Sequence, residues 1–303
     1  MRLTNLVTST VLFCAMCCVC GQAQQLPSAL TTDPPHDKAF PAGMETFQIR
    51  SGGVLLNTLA YVAEGAGPHP AVILLHGFPG NEKNLDLAQA MRRDGWDVVY
   101  FDYRGSWGSP GDFSFTHSME DTEAAIAYVR DTANAKKLRA DPGFIVLVGH
   151  SMGGFMARYV SAQDRGAKAV GLISAADMGV DRMQGLQPEQ VEGATKKLAE
   201  GFASEGMAPL AGRTPEGLAK EVIANAAAWN TVNLAPMLAK RPVLVVTSND
   251  GLGPSNDAFV AAYRKAGGKD ITAVHLTTDH SYSDQRIALE SVVLEFLEKV
   301  KKQ

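Results

Sequence analysis

Residues 144–154 read Phe-Ile-Val-Leu-Val-Gly-His-Ser-Met-Gly-Gly, and this stretch decides the fold. The apolar run from Phe144 to Val148 lies between the breaker pair Pro142-Gly143 and Gly149. A short unbroken run of this kind is how a strand buried on both faces reads. From Phe155 to Val160 the spacing becomes helical. Gly149-His150-Ser151-Met152-Gly153 therefore sits between a strand and a helix, the context of a nucleophile elbow. Such a turn holds its serine in strained backbone with the hydroxyl pushed outward, and side chains at the flanking glycines would collide with neighbouring elements. Ser151 is the candidate nucleophile.

Outward from the elbow, strand and helix patterns alternate. Toward the N-terminus, residues 44–50 and 54–63 read as an antiparallel hairpin around Ser51-Gly52-Gly53. Residues 71–75 form a continuous apolar strand, followed by the loop His76-Gly77-Phe78-Pro79-Gly80. A helix over 84–93 stops at Gly95, a strand covers 96–103, and a glycine-rich loop leads to one helix over about 118–136. Toward the C-terminus come the elbow helix to about 163 and a strand over 168–174. Residues 178–235 then carry helical runs and no strand pattern, which predicts a helical lid inserted between core strands. A strand over 242–246, a helix over 255–266, a strand over 271–276 and a helix from about 284 complete the chain. The pattern predicts an α/β fold: a mostly parallel eight-stranded sheet with helices on both faces. In such sheets chemistry gathers at the carboxyl ends of strands. His76, Ser151, Asp250 and His280 all follow strand ends.

A serine hydroxyl is a weak nucleophile at neutral pH and needs a base that is itself oriented by an acid. In the chain order serine, acid, histidine, the acid follows a strand after the elbow and the histidine follows the last strand. Asp250 in Thr-Ser-Asn-Asp-Gly and His280 in Thr-Thr-Asp-His-Ser meet those positions. Among the seven histidines, His36 and His69 are expected in solvent and His117 at a loop–helix junction. His275 is expected to pack within the last strand, and His150 to point away from its neighbouring serine. Asp177 is the competing acid, and Asp279 is expected to face elsewhere. The oxyanion formed on attack needs preorganised N–H donors. Met152 supplies one from the start of the elbow helix, and Phe78 supplies the other from the loop after the third strand. His76 is read as a buttress of that loop. Trp107, Phe113 and Phe115 are candidates either for an acyl pocket or for loop packing. Arg104 either binds a substrate carboxylate or ties its loop, and Met183, Met207 and Met237 are candidate lid-wall residues.

The net charge of −4 gives no polybasic surface, so nucleic acid is not an expected partner. Apolar content of 46% and charged content of 20% are those of an ordinary globular chain. Residues 1–23 read as a secretory signal peptide, with an N-terminal membrane anchor as the alternative. Residues 24–43 read as an irregular arm, and residues 44–303 as the folded domain. All four cysteines, Cys14, Cys17, Cys18 and Cys20, lie in the leader, so the mature chain offers no thiol. The expected location is the periplasm or the outside of the cell, with no stable membrane insertion once the leader is removed.

His-Gly-Phe-Pro-Gly, Tyr-Arg-Gly-Ser-Trp-Gly-Ser-Pro-Gly, Gly-His-Ser-Met-Gly-Gly, Ser-Asn-Asp-Gly and Thr-Asp-His-Ser-Tyr-Ser-Asp together resemble the α/β-hydrolase family over about residues 44–300. The nearest likeness is to single-domain bacterial hydrolases of the serine aminopeptidase-like and prolyl-oligopeptidase-like kinds. The resemblance implies a serine hydrolase acting on a small ester or short peptide, with no metal or organic cofactor. Three alternatives stay open: an aminopeptidase, an acyltransferase, and a non-catalytic binding protein on the same scaffold.

Overall fold

A computed structural model describes residues 25–179 and 184–303. The proposed leader and Met183 therefore lie outside the described residues. The arm holds only a single 3-10 turn, Ser28–Leu30, before the sheet begins. Eight strands follow: β1 (Gly43–Ser51), β2 (Val54–Val62), β3 (His69–Leu75), β4 (Asp97–Phe101), β5 (Ala140–His150), β6 (Ala167–Ile173), β7 (Val243–Thr247) and β8 (Ile271–His275). They form one sheet in the order β1-β2-β4-β3-β5-β6-β7-β8. The β1–β2 and β2–β4 pairs are antiparallel, and every other pair is parallel.

Burial follows position in the sheet. Every residue of β4 and β7 is buried, whereas β8 at the edge has none that is. The period-2 alternation of a strand sorts its side chains between two layers. Ala71, Ile73 and Leu75 of β3 join one core, and Val72 and Leu74 join the other. The first core lies under α2 (Phe115–Arg130), α4 (Met152–Gln163), α7 (Thr231–Leu238) and α8 (Gly253–Lys265). The second lies under α1 (Leu85–Arg93) and α9 (Arg286–Lys301). Burying each Val, Ile or Leu side chain among these contributes about 1.5–3 kcal/mol, so the central strands are the stable frame on which the site rests.

The structure departs from the sequence reading in places with clear local causes. The single helix expected over 118–136 is two: Asp131 takes an extended conformation, and its carboxylate accepts the N–H groups of Ala133 and Asn134. That N-cap starts α3 (Thr132–Leu138) afresh. Strand β5 begins before Pro142-Gly143, and the breaker pair survives as an irregularity where the β3–β5 register jumps from His69–Ala140 to Ala71–Ile145. His69 opens β3 half-buried, with its Nε2 3.1 Å from the Gly65 carbonyl. His275 lies on edge strand β8 and is exposed, not packed, its ring reaching Thr247 and Asn249.

Between β6 and β7 the chain carries α5 (Pro188–Ser204) and α6 (Pro215–Asn225) ahead of α7, with no strand among the described residues of that stretch. Helix α6 is capped by Thr214, whose hydroxyl accepts the Gly217 N–H, and Pro215 occupies its first turn. Helix α5 also starts with a proline, and its Gln190 side chain accepts the Gln187 N–H.

Candidate active site

The elbow is built by close approach. Ser151 follows β5 and precedes α4 with φ 56° and ψ −121°, a region costly for any residue with a side chain. A Cβ on Gly149 would lie 2.0 Å from the Gly153 carbonyl oxygen, and one on Gly153 would lie 2.1 Å from that of Leu75. Both obstacles are backbone and cannot swing aside. Gly153→Ala should therefore destabilise the fold by about 3 kcal/mol, read as a drop in the urea midpoint. The strained turn is pinned by the Ser151 N–H donating to the Ile173 carbonyl at 2.9 Å, and by the Ser151 carbonyl accepting the Ala176 N–H at 2.9 Å.

The loop after β3 passes directly beside the serine. A Cβ on Gly77 would sit 2.9 Å from Ser151 Cβ and 3.4 Å from its Oγ. This is where a bare backbone is required. Phe78 of that loop and Met152 line the same cavity as Ser151. As the first residue of α4, Met152 has an N–H with no intrahelical acceptor, aligned with the positive end of the helix dipole.

Asp250 follows β7 and His280 follows β8. The imidazole Nδ1–H donates to Asp250 Oδ2 at 2.8 Å, which leaves Nε2 as the ring's lone-pair nitrogen. The carboxylate side chain is 5% exposed and the imidazole 40%. Burial alone would raise the Asp250 pKa. Hydrogen bonds from His280, Ser174, the Leu252 N–H and Ser248 outweigh it and hold the group well below the usual carboxylate range. Ser151, Asp250 and His280 line one cavity of about 830 Å³, with Phe78, Phe115, Leu198 and Phe202 as apolar wall. The Asn249 N–H donates to the Thr278 carbonyl at 3.0 Å and ties the two loops together.

The rival residues have other work. Asp177 accepts the Gly179 N–H at 3.1 Å, a loop cap, and the acid that meets His280 is Asp250. His150 is buried, with its Nε2 2.8 Å from the His280 carbonyl and its ring 4.6 Å from the His280 ring. His76 donates from Nδ1 to the Gly77 carbonyl at 2.8 Å and packs against Tyr103, so it does buttress the loop. Arg104 is tied to Asp121, Glu120 and the His117 carbonyl rather than turned to the cavity. Phe115 lines the cavity, whereas Phe113 packs behind it and Trp107 donates its Nε1–H to the Pro79 carbonyl. Met207 packs against the core and Met237 is exposed; among the described residues of this segment, Met178 is the methionine in the cavity lining. Asp279, expected to face elsewhere, is in the cavity lining, and its Oδ1 accepts the Ser283 N–H. Sequence reasoning does not single out Leu198 and Phe202 of α5 or Glu205 just after it, nor the hydroxyls of Ser174, Ser248 and Tyr282 that meet one another near the strand ends. Among the described residues, no group of three or more His, Cys, Asp or Glu side chains is arranged to hold a metal ion.

Two buried imidazoles make the fold acid-sensitive. Burial lowers His76 and His150 each to about 4, the charge on His280 adding to the effect at His150. Burial conversely raises Asp97, which accepts the Ala63 N–H, to about 7. From pH 6.5 down to 4 the unfolded chain takes up protons on both histidines that the native state refuses, so stability falls with pH. The native state alone protonates Asp97 in that window, which opposes the fall. Removing the Asp97 proton should steepen that fall, so Asp97→Asn is expected to increase the slope by roughly 1.4 kcal/mol per pH unit. Urea midpoints across the window measure both slopes.

The chain matches the model of the alpha/beta hydrolase family over residues 72–290 and belongs to that family. Two uncharacterized Mycobacterium tuberculosis proteins are 28% identical to it over 131 residues; the match covers 43% of this chain and 45% of each relative. Among solved structures, Est1E from Butyrivibrio proteoclasticus with ferulic acid bound superposes with a TM-score of 0.67 at 19% identity, covering 85% of this chain and 100% of that one. The carboxylesterase EstE1 from a metagenomic library gives 0.61 at 22% identity over 90% and 92% of the two chains. Pyrococcus horikoshii acylaminoacyl peptidase gives 0.61 at 18% identity, over 85% of this chain and 41% of that one. At these identities the structural likenesses establish the shared fold.

Proposed function

We propose that the protein is a serine hydrolase that cleaves carboxylic esters through an acyl-enzyme on Ser151. The observation that carries this reading is the meeting, in one cavity, of an elbow serine in strained backbone and a His280–Asp250 pair. In the first step His280 Nε2 takes the Ser151 proton as Oγ bonds to the substrate carbonyl carbon. The carbonyl oxygen gains the negative charge and is met by the N–H groups of Phe78 and Met152. Collapse expels the alcohol, which leaves with the proton held on His280. Water then repeats the sequence: it loses a proton to His280, attacks the acyl carbon, and Ser151 departs with that proton. Asp250 keeps the imidazole in the tautomer whose Nε2 accepts, and stabilises the imidazolium that forms.

Aminopeptidase activity is the second reading, because Glu205 and Asp279 put carboxylates on the cavity lining where a free amine would need one. Export rests on the leader at residues 1–23, and N-terminal sequencing of the protein recovered outside the cytoplasm tests it. For the chemistry, a fluorophosphonate probe is expected to add to Ser151, with the adduct located by mass spectrometry. Short acyl esters should turn over faster than aminoacyl amides. An unlabelled Ser151 in folded protein would overturn the reading, and faster amide cleavage would favour the peptidase.

A further inference from the structure

The cavity beside Ser151 has two chemically different sides, and they come from different elements. Asn249, Asp250, Asp279 and His280 belong to the loops after β7 and β8. Phe78 comes from the loop after β3, Phe115 opens α2, and Leu198 and Phe202 belong to α5. The three phenyl rings meet one another. Their centroids are 5.3 Å apart for Phe78 and Phe202, 5.5 Å for Phe115 and Phe202, and 6.0 Å for Phe78 and Phe115. Those are the separations that aromatic side chains prefer. Phe115 is fully buried and meets Phe113 and Trp229 edge-on, so its ring is a fixed floor. Phe78 and Phe202 are only half-buried, which leaves ring surface for a further apolar group.

Helix α5 presents one stripe to this space. Ala194, Leu198, Gly201 and Phe202 line the cavity at positions i, i+4, i+7 and i+8, a single face of an α-helix. Its two small residues leave the stripe open around the apolar ones. A Cβ on Gly201 would meet nothing within 4 Å. Glycine weakens a helix interior, and here neither a positive φ nor a close approach asks for it. What the missing side chain leaves is room beside the Phe202 ring.

We propose that the acyl group of the substrate carries an aromatic ring, seated against Phe78, Leu198 and Phe202 in front of Gly201, with Phe202 as the residue that selects it. The inference rests on the reading of Ser151 as an ester-cleaving nucleophile. His280 hands its proton to the departing alcohol, so the alcohol leaves on the side of the loops after β7 and β8. The acyl group then takes the phenyl side. A cavity of about 830 Å³ has the size of a site for a ring-bearing molecule, and an acetyl group would leave most of the phenyl wall facing water. Apolar substrate surface buried against that wall favours the larger acyl group in kcat/KM.

The test uses p-nitrophenyl esters that share a leaving group and differ in the acyl part: acetate, hexanoate and 3-phenylpropanoate. In the unaltered protein kcat/KM should be at least about 10-fold higher for 3-phenylpropanoate than for acetate. It should also exceed the value for hexanoate, whose chain is apolar but has no ring. Phe202→Ala should lower the ratio of 3-phenylpropanoate to acetate by about 10-fold. A ratio measured within one variant does not depend on how much of it is folded, so a destabilised α5 cannot imitate this result. Gly201→Leu is the second arm. It improves the helix and fills the space beside Phe202, so the ratio should fall again while the urea midpoint does not. Equal kcat/KM for acetate and 3-phenylpropanoate in the unaltered protein would overturn the proposal, as would a ratio that Phe202→Ala leaves in place. Hexanoate matching the phenyl ester would remove the aromatic assignment, and a ratio unmoved by Gly201→Leu would remove the proposed seat. Failure of the underlying reading looks different: no ester is turned over and Ser151 takes no fluorophosphonate label.

Discussion

Ser151→Ala is expected to lower kcat on a short acyl ester by roughly 10⁴–10⁶-fold. The loss is large because the other groups act through the serine: without Oγ, His280 has no proton to take and no acyl-enzyme forms. The cavity remains, with Phe78 and Met152, the proposed oxyanion donors, in its lining, so substrate should still bind with a comparable affinity. The residual rate over water is what binding and oxyanion stabilisation supply alone. Stability separates this variant from a misfolded one. Alanine keeps the strained φ of 56° and should leave the urea midpoint unchanged. Ser151→Gly should be more stable by about 1 kcal/mol and equally inactive. A dead enzyme with a strengthened fold is the expected signature of strain held for function. Retained turnover in Ser151→Ala would remove the serine from the chemistry.

What could be read from sequence divides by the kind of physics involved. The central strands were legible because burial on both faces leaves continuous apolar runs, as at residues 71–75, all of which are buried. The elbow was legible because its glycines answer backbone collisions, at Leu75 and Gly153, that no other residue type survives. The pairing of Asp250 with His280 was legible from chain order and strand ends, although the residues are thirty apart. Less was visible where a side chain competes with a local pattern. Asp131 restarts a helix by capping it, and its carboxylate looks like any other surface acid in the sequence. His275 was misplaced because alternation says that a strand exists, not that its partner face is covered; β8 is an edge strand. The wall that α5 gives the cavity was hidden for a different reason. Phe202 meets Phe78 and Phe115 at ring separations of 5.3 and 5.5 Å, contacts made across segments whose sequences carry no trace of one another. Tyr282 stood in plain view within Thr-Asp-His-Ser-Tyr-Ser-Asp. Its bond to Ser174, 108 residues away, was not.

The second large effect belongs to the acid. Asp250→Asn is expected to cost roughly 10³–10⁴-fold in kcat at neutral pH, although the change in shape is a single atom. An aspartate can only accept at Oδ2, so it fixes the proton on His280 Nδ1 and leaves Nε2 basic. An asparagine can present its N–H₂ to the ring, which favours the opposite tautomer and places a proton on the nitrogen that must receive one. It also withdraws the charge that stabilises the imidazolium between the two half-reactions. The neighbour adds to the loss: the Leu252 N–H donates to Oδ1 at 2.9 Å, which holds the amide oxygen on that side and turns the nitrogen toward the ring. Asp177→Asn is the matched comparison. Its carboxylate caps a loop through the Gly179 N–H, and the change should alter kcat less than about 3-fold. The two acids also differ in the pH dependence of folding. The Asp250 pKa is depressed, so its contribution to stability is present above the ordinary carboxylate range and is lost as pH falls through the lower, folded-state value. Asp250→Asn should therefore weaken the fold at pH 7 and lessen the difference from the unaltered protein below pH ~3, which urea midpoints at the two pH values measure. A larger loss in Asp177→Asn than in Asp250→Asn would move the acid from the end of β7 to the end of β6, and the hydrogen bond at His280 would then need another purpose.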